Sequence, residues 1–198
     1  FSFTNPLADF TDIPKFNTWS YPGILFVVNS GIMNGTSATK FSPDRAMSRA
    51  MLVTSLYRLS GSPAVSYTNS FSDVPASAWY ADGVAWASKN GIVTGVGGGK
   101  FNPNGNVTRE QIATFLFRYA EYLGYNTSKR ADLSRFPDSG SVSNFAKDAM
   151  SWAVATGILN GTTTNDITIL APKSPATRAQ AASFLLRFGK VVLPSLPY

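Results

Sequence analysis

Phe71-Ser72-Asp73-Val74-Pro75, Asn90-Gly91-Ile92-Val93-Thr94-Gly95, Lys100-Phe101-Asn102-Pro103 and Thr108-Arg109-Glu110-Gln111 follow one another in the middle of the chain. Each has a counterpart on either side. Upstream these are Phe10-Thr11-Asp12-Ile13-Pro14, Ser30-Gly31-Ile32-Met33-Asn34-Gly35, Lys40-Phe41-Ser42-Pro43 and Ser48-Arg49-Ala50. Downstream they are Phe136-Pro137-Asp138, Thr156-Gly157-Ile158-Leu159-Asn160-Gly161, Leu170-Ala171-Pro172 and Thr177-Arg178-Ala179-Gln180. Self-similarity at this period marks a repeat architecture, in which one unit cannot bury its apolar face alone. The chain is therefore read as three copies, at 10–61, 71–123 and 136–189, the third lengthened before its last helix.

Each copy reads as helix, loop, helix. In the second copy the first helix runs from Tyr80 to Asn90, and Gly91 supplies the left-handed residue that ends it. The second helix runs from about Thr108 to Glu121, with Ile112, Phe115, Leu116 and Tyr119 as an apolar stripe at helical spacing. Thr108 with Gln111, and Thr177 with Gln180, have the spacing of a capping box; the first copy has Ser48 but Met51. The junctions Gly61–Ser70 and Tyr122–Arg135 are short and polar, so the copies are expected to share one core. The fold class is all-α: three helix-loop-helix repeats packed as a pseudo-threefold bundle.

Composition removes whole classes of chemistry. Among 198 residues there is no histidine and no cysteine, which excludes Ser-His-Asp and Cys-His catalysis, imidazole or thiolate metal sites and disulfides. The 11 acidic residues offer no clustered pair for glycosidase chemistry, so no enzyme, metal or cofactor is expected. Gly95-Val96-Gly97-Gly98-Gly99-Lys100 looks like a phosphate loop, but Phe101 replaces the required Ser/Thr and the spacing is short, so it reads as a turn. Asn34, Asn106, Asn126 and Asn160 begin Asn-x-Ser/Thr triplets; local turn geometry accounts for Asn34 and Asn160. The net charge of +6 comes from basic residues spread through the repeats, which argues against a nucleic-acid partner. The longest aliphatic-aromatic run, Ile24–Val28, is far too short for membrane insertion. The start FSFTNPLADF has no basic region followed by an apolar stretch, so any leader is expected to have been removed or to lie upstream.

The repeated arginine is the informative residue. With Ser48, Thr108 and Thr177 as N-caps, Arg49, Arg109 and Arg178 occupy the first helical position, where a cation faces the positive end of the dipole at a cost of about 0.3–1 kcal/mol. Two offsets fit equally: a bound carboxylate or phosphate at the helix N-terminus, or an internal ion pair with Asp12, Asp73 or Asp138. A second arginine follows nine residues later at Arg58, Arg118 and Arg187. At about 100° per residue it falls on the opposite helix face, and so reads as a surface or inter-repeat ion-pair residue rather than a member of the same site. The tryptophans fill two repeated positions. Trp86 and Trp152, with Phe26, read as core; Trp19 and Trp79, with Phe145, are open to sugar stacking.

These motifs together resemble the S-layer homology family, over about Phe10 to Gly189. The resemblance implies a three-pronged pseudo-trimer, monomeric and extracellular, that anchors exported proteins to the bacterial cell wall. The partner it implies is a secondary cell-wall polysaccharide carrying ketal-linked pyruvate on N-acetylmannosamine, bound in grooves between modules. By that resemblance Arg49, Arg109 and Arg178 meet the pyruvate carboxylate. Asp12, Asp73 and Asp138, with the backbone of Gly35, Gly95 and Gly161, help form the grooves. The family motif Ile-Thr-Arg-Ala-Glu stands here as Met47-Ser48-Arg49-Ala50-Met51, Val107-Thr108-Arg109-Glu110-Gln111 and Ala176-Thr177-Arg178-Ala179-Gln180, without its final Glu in any copy. The third copy also lacks the aromatic residue before Pro172. The alternative is a protein-interaction or assembly module that keeps the fold without binding glycan.

Overall fold

The computed structural model describes residues 5–193, so the first four residues of the FSFTNPLADF stretch considered above lie outside it. Six helices carry the fold: α1 (Tyr21–Asn29), α2 (Arg49–Leu59), α3 (Ala81–Lys89), α4 (Arg109–Tyr122), α5 (Lys147–Ala155) and α6 (Arg178–Val192). The all-α class holds, with one addition. The longer loop of the third copy forms an antiparallel hairpin, β1 (Thr162–Thr164) and β2 (Ile167–Ile169). Among the described residues no helix is long and apolar enough to cross a membrane.

The local chemistry explains where the helices begin. Thr108 and Thr177 each accept from the backbone N–H three residues on, while Gln111 and Gln180 accept from the cap's own N–H. Glutamine thus does at this position what a carboxylate would do without the charge. Ser48 makes only the first half of this exchange, to Met51. At the other end, Gly31, Gly91 and Gly157 have φ of +66°, +70° and +73° just past α1, α3 and α5, where a side chain would be strained.

The three copies close on one another around a backbone ring. The Met47 N–H donates to Ala176 O at 2.8 Å, the Ala176 N–H to Val107 O at 3.0 Å, and the Val107 N–H to Met47 O at 2.9 Å. All three residues are fully buried, so each copy satisfies its neighbour's backbone where water cannot. The packed helix pairs also cross the repeat boundaries: α1 lies on α6, α3 on α2 and α5 on α4. Close approach in the first pair depends on Gly23, where a Cβ would sit 2.8 Å from the backbone nitrogen of Ser183.

One continuous apolar core results. Phe41, Phe101 and Leu170 fill equivalent fully buried positions, so an aliphatic side chain replaces the third aromatic without opening the core. Phe10 and Phe71 meet Phe41 and Phe101 with ring centroids 6.1 and 5.5 Å apart. Trp86 and Trp152 are buried, as their spacing suggests.

Candidate functional site

The aspartate of each copy organises a loop. Asp73 accepts the N–H groups of Phe101 and Asn102, both at 2.8 Å. Asp12 takes those of Phe41 and Ser42 at 2.8 Å, and Asp138 those of Leu170 and Ala171 at 2.9 and 2.7 Å. The second residue of each pair, Ser42, Asn102 or Ala171, has φ between +50° and +58°, a conformation costly without such support. Burial pushes the Asp73 carboxyl up. The N–H groups of Phe101, Asn102 and Asp73 itself, with the charge of Lys100, outweigh that and hold it below 3.8. A depressed folded-state value stabilises the fold above the unfolded value and loses that contribution as pH falls through the folded one. Asp73→Asn is therefore expected to flatten the fall in urea midpoint below pH 4; an unchanged acid limb would show that the clamp carries no linkage.

The clamped loop in turn holds the arginine of the neighbouring copy. Arg49 donates through Nε to Phe101 O at 2.8 Å and through Nη2 to Thr94 O at 2.9 Å. Arg109 makes the same fork with Leu170 O at 2.8 Å and Asn160 O at 2.9 Å, and Arg178 with Phe41 O at 2.8 Å and Asn34 O at 2.6 Å. The guanidinium of Arg178 also lies over the ring of Phe41 at 4.5 Å, and that of Arg49 over Phe101 at 4.6 Å.

This arrangement differs from both offsets considered for the helix-start cation. The free N–H groups are not free: those of Arg49 and Ala50 donate to Gly105 O and Pro103 O of the next copy, both at 2.9 Å. The N–H pairs of Arg109 with Glu110 and Arg178 with Ala179 do likewise, to Ser174 and Pro172, and to Arg45 and Pro43. Closing the ring consumes the donors that an anion would use. Nor does an aspartate pair with these arginines; the ion pairs among the described residues are Arg130–Asp148 at 3.5 Å and Lys173–Glu110 at 2.7 Å. Carbonyl dipoles offset the charge instead, and the aspartate acts through the loop that supplies them.

Arg49, Arg109 and Arg178 are only 3–4% exposed, and what remains accessible faces a groove. Nη1 of Arg49 and of Arg109 has no hydrogen-bond partner among the described residues. Burial lowers the affinity of all three guanidinium groups for their protons. For Arg109 the nearby Arg187 adds to this and Asp138 opposes it; for Arg49, Asp73 opposes it.

Three grooves of about 310, 340 and 470 Å³ repeat one lining. The first gathers Arg178, the turn Asn34-Gly35-Thr36, Arg58 and Trp79. The second gathers Arg49, Thr94-Gly95-Val96, Arg118 and Phe145. The third gathers Arg109, Asn160-Gly161-Thr162, Arg187 and Trp19. Each groove thus draws on all three copies. Gly35, Gly95 and Gly161 belong to these linings, whereas Asp12, Asp73 and Asp138 do not. A Cβ on Gly95 would meet Lys100 O at 2.5 Å and the Phe71 ring at 2.7 Å, so packing against its own loop requires glycine there.

Two features escape a reading confined to one copy. Arg58, Arg118 and Arg187 do face away from the first arginine of their own helix. They line the groove closed by the first arginine of another copy, an inter-repeat position, and the ion pair expected of them is absent among the described residues. Their threefold recurrence at a fixed offset was the signal. The outer aromatics form the second feature: Trp19, Trp79 and Phe145 are 64%, 63% and 58% exposed, each at the edge of a groove built by other copies. Large apolar rings left in water beside cations suit the face of a sugar.

The protein-family comparison matches the model described as the S-layer homology domain at residues 9–50, 70–113 and 135–182. Over 176 residues the chain is 36% identical to an endoglucanase of Bacillus sp. (strain KSM-635), covering 89% of this chain and 18% of that protein. It is 31% identical over 176 residues to exoglucanase XynX of Acetivibrio thermocellus, covering 89% and 16%. It is 33% identical over 175 residues to the surface-layer 125 kDa protein of Lysinibacillus sphaericus, covering 88% and 14%. The chain spans less than a fifth of each of these relatives.

Proposed function

Since the chain belongs to the S-layer homology domain family, whose members anchor proteins at the bacterial cell surface, we propose that it is a non-catalytic module binding an anionic, pyruvylated secondary cell-wall polysaccharide. The observation that carries this reading is the threefold recurrence of one groove lining: an arginine tip, a second arginine, a glycine turn and an exposed aromatic ring. Paired guanidinium groups suit a carboxylate held in charge-assisted hydrogen bonds, and the ring suits the apolar face of the sugar that carries it.

In this reading Arg49, Arg109 and Arg178 present their free edge to the carboxylate, with Arg118, Arg187 and Arg58 respectively lying farther along their partner helices. Gly35, Gly95 and Gly161 let the sugar approach the backbone. Asp12, Asp73 and Asp138 serve indirectly, by fixing the loop carbonyls that aim the first arginines. The repeats 10–61, 71–123 and 136–189 are taken as sequence units that do not fold alone, because every packed helix pair is shared between copies. In this reading a single chain, which supplies all three repeats of the ring, is the binding unit. Three grooves on one polymer add avidity to modest single-site affinity.

Titration with pyruvylated wall polymer and with the same polymer after depyruvylation tests the reading. Removing the carboxylate is expected to weaken binding about 10–100-fold, the range for losing charge-assisted hydrogen bonds. Equal affinity for the two polymers would remove the carboxylate from the account. Strong binding to walls stripped of polymer would favour a protein partner.

A further inference from the structure

The grooves differ in charge where the repeated loop differs in sequence. At one position this loop has Arg45 in the first copy, Gly105 in the second and Ser174 in the third. All three do the same backbone work, accepting the N–H of Arg178, Arg49 and Arg109 at 2.9, 2.9 and 3.0 Å. Only Arg45 adds a charge, and it lines the groove beside Arg58 and Arg178. That lining holds three arginines and no carboxylate; the other two hold two arginines each. Asp12 is within electrostatic range of Arg178, but both of its oxygens are occupied by the N–H groups of Phe41 and Ser42. Burial and then the charge of Arg45 pull the Arg178 guanidinium down to about 10, against the opposing pull of Asp12.

One unmet hydroxyl distinguishes the same groove, beside a guanidinium edge that is left open in all three. Met51 stands where the other copies have a capping glutamine, so Nη1 of Arg178 meets only the methionine sulfur, at 3.8 Å. Thr54 also lines the groove, is 6% exposed, and its hydroxyl has no partner among the described residues. Its counterparts Thr114 and Ser183 donate to the carbonyls of Glu110 and Ala179, at 2.8 and 3.1 Å.

We infer that the groove lined by Arg45, Arg58 and Arg178 takes a dianionic group, a phosphate monoester carried on a sugar being the chemistry that fits. A phosphate monoester offers three oxygens and close to two negative charges, which three guanidinium groups can share. A monocarboxylate would leave two of the three cations facing one another without a counter-charge. Trp79 supplies the flat surface for the attached ring. The inference rests on the reading that these grooves hold anionic sugars, and replaces the carboxylate by a phosphate in the Arg178 groove while leaving the carboxylate to the grooves of Arg49 and Arg109.

The histidine-free, cysteine-free sequence gives the test its resolution. No side-chain type present has an ordinary pKa between pH 5 and 8, whereas a phosphate monoester loses its second proton near pH 6. A change in selectivity across that range therefore belongs to the ligand. Glucose 6-phosphate and glucuronate serve as probes, followed by Trp79 emission in a Trp19→Phe background; the remaining tryptophans, Trp86 and Trp152, are buried. At pH 8 the phosphate is expected to bind about tenfold more tightly than glucuronate, the scale of one extra charge-assisted contact. At pH 5 the preference is expected to shrink to about threefold or less. Arg45→Ser, which installs the third copy's residue and keeps the backbone carbonyl, should bring the pH 8 ratio close to one. Equal affinities at pH 8, or a preference insensitive to pH or to Arg45, would overturn the inference. A pyruvylated disaccharide followed through Trp19 in a Trp79→Phe background reads the Arg109 groove separately. Binding there without a phosphate preference beside Trp79 sinks this inference alone; the reverse pattern sinks the pyruvate reading alone.

Discussion

Replacing Arg109 by alanine is expected to destabilise the fold by about 3–4 kcal/mol, a large share of the roughly 5–15 kcal/mol typical of a whole domain. The side chain is 3% exposed and donates to Leu170 O at 2.8 Å and Asn160 O at 2.9 Å, with its guanidinium 5.3 Å from the Phe184 ring centroid. Truncation removes two charge-assisted bonds and leaves the carbonyl of fully buried Leu170 without that donor. It also loosens the contact between the second and third copies, which the ring of Met47, Val107 and Ala176 maintains only in part. Arg109→Lys is expected to recover less than half of the loss, because an ammonium group cannot reproduce a planar fork to two carbonyls. Urea unfolding followed through buried Trp152 measures both variants. A loss below about 1 kcal/mol for alanine would mean that the arginine fork contributes little to closing the ring.

The largest effect on binding is expected from a different set. Arg58, Arg118 and Arg187 are half-buried. Arg118 and Arg187 make no side-chain hydrogen bond or ion pair among the described residues, and Arg58 has only a long contact to Ile32 O at 3.5 Å. Alanine at all three positions is expected to shift the unfolding midpoint little while reducing affinity for the wall polymer at least about 100-fold. Each groove would lose a charged contact worth about 1.5–3 kcal/mol, and avidity across three grooves multiplies the loss. Sedimentation of the variant with purified walls, beside its urea midpoint, separates the two quantities. Wall binding within about threefold of the parent would restore these arginines to a bystander role. This triple variant is the cleaner probe of function, because Arg49, Arg109 and Arg178 cannot be removed without disturbing the loops they hold.

The chemistry legible in the sequence was the chemistry that acts within one copy. Thr108 with Gln111 and Thr177 with Gln180 form the expected capping boxes. Gly91 ends its helix in the left-handed region, and Trp86 and Trp152 fill the core. Such features depend on residues a few positions apart, and their spacing is written directly in the chain. The role of Asp73 was partly legible: its recurrence marked it as important, but its partners Phe101 and Asn102 lie 28 and 29 residues away. An ion pair with arginine is one of the two uses that spacing allows for its charge, and the structure spends that charge on two backbone N–H groups instead.

The sequence by itself determined that there are three copies, that each contributes two helices of which the second is capped by Ser or Thr, that histidine and cysteine chemistry is absent, and that one arginine stands at the start of every second helix. Tertiary structure alone decided what those arginines touch. Helix pairs form between copies, so the N–H groups at a helix start meet the next copy's carbonyls and its arginine reaches into the next copy's loop. The second arginine, on the face of its helix opposite the first, is carried into a groove that the first arginine and outer aromatic ring of the other two repeats complete. A periodic sequence specifies the unit, but a closed ring places its functional surfaces between units. The contacts there join residues as far apart as Asn34 and Arg178, a pairing that only the folded chain brings within hydrogen-bond distance.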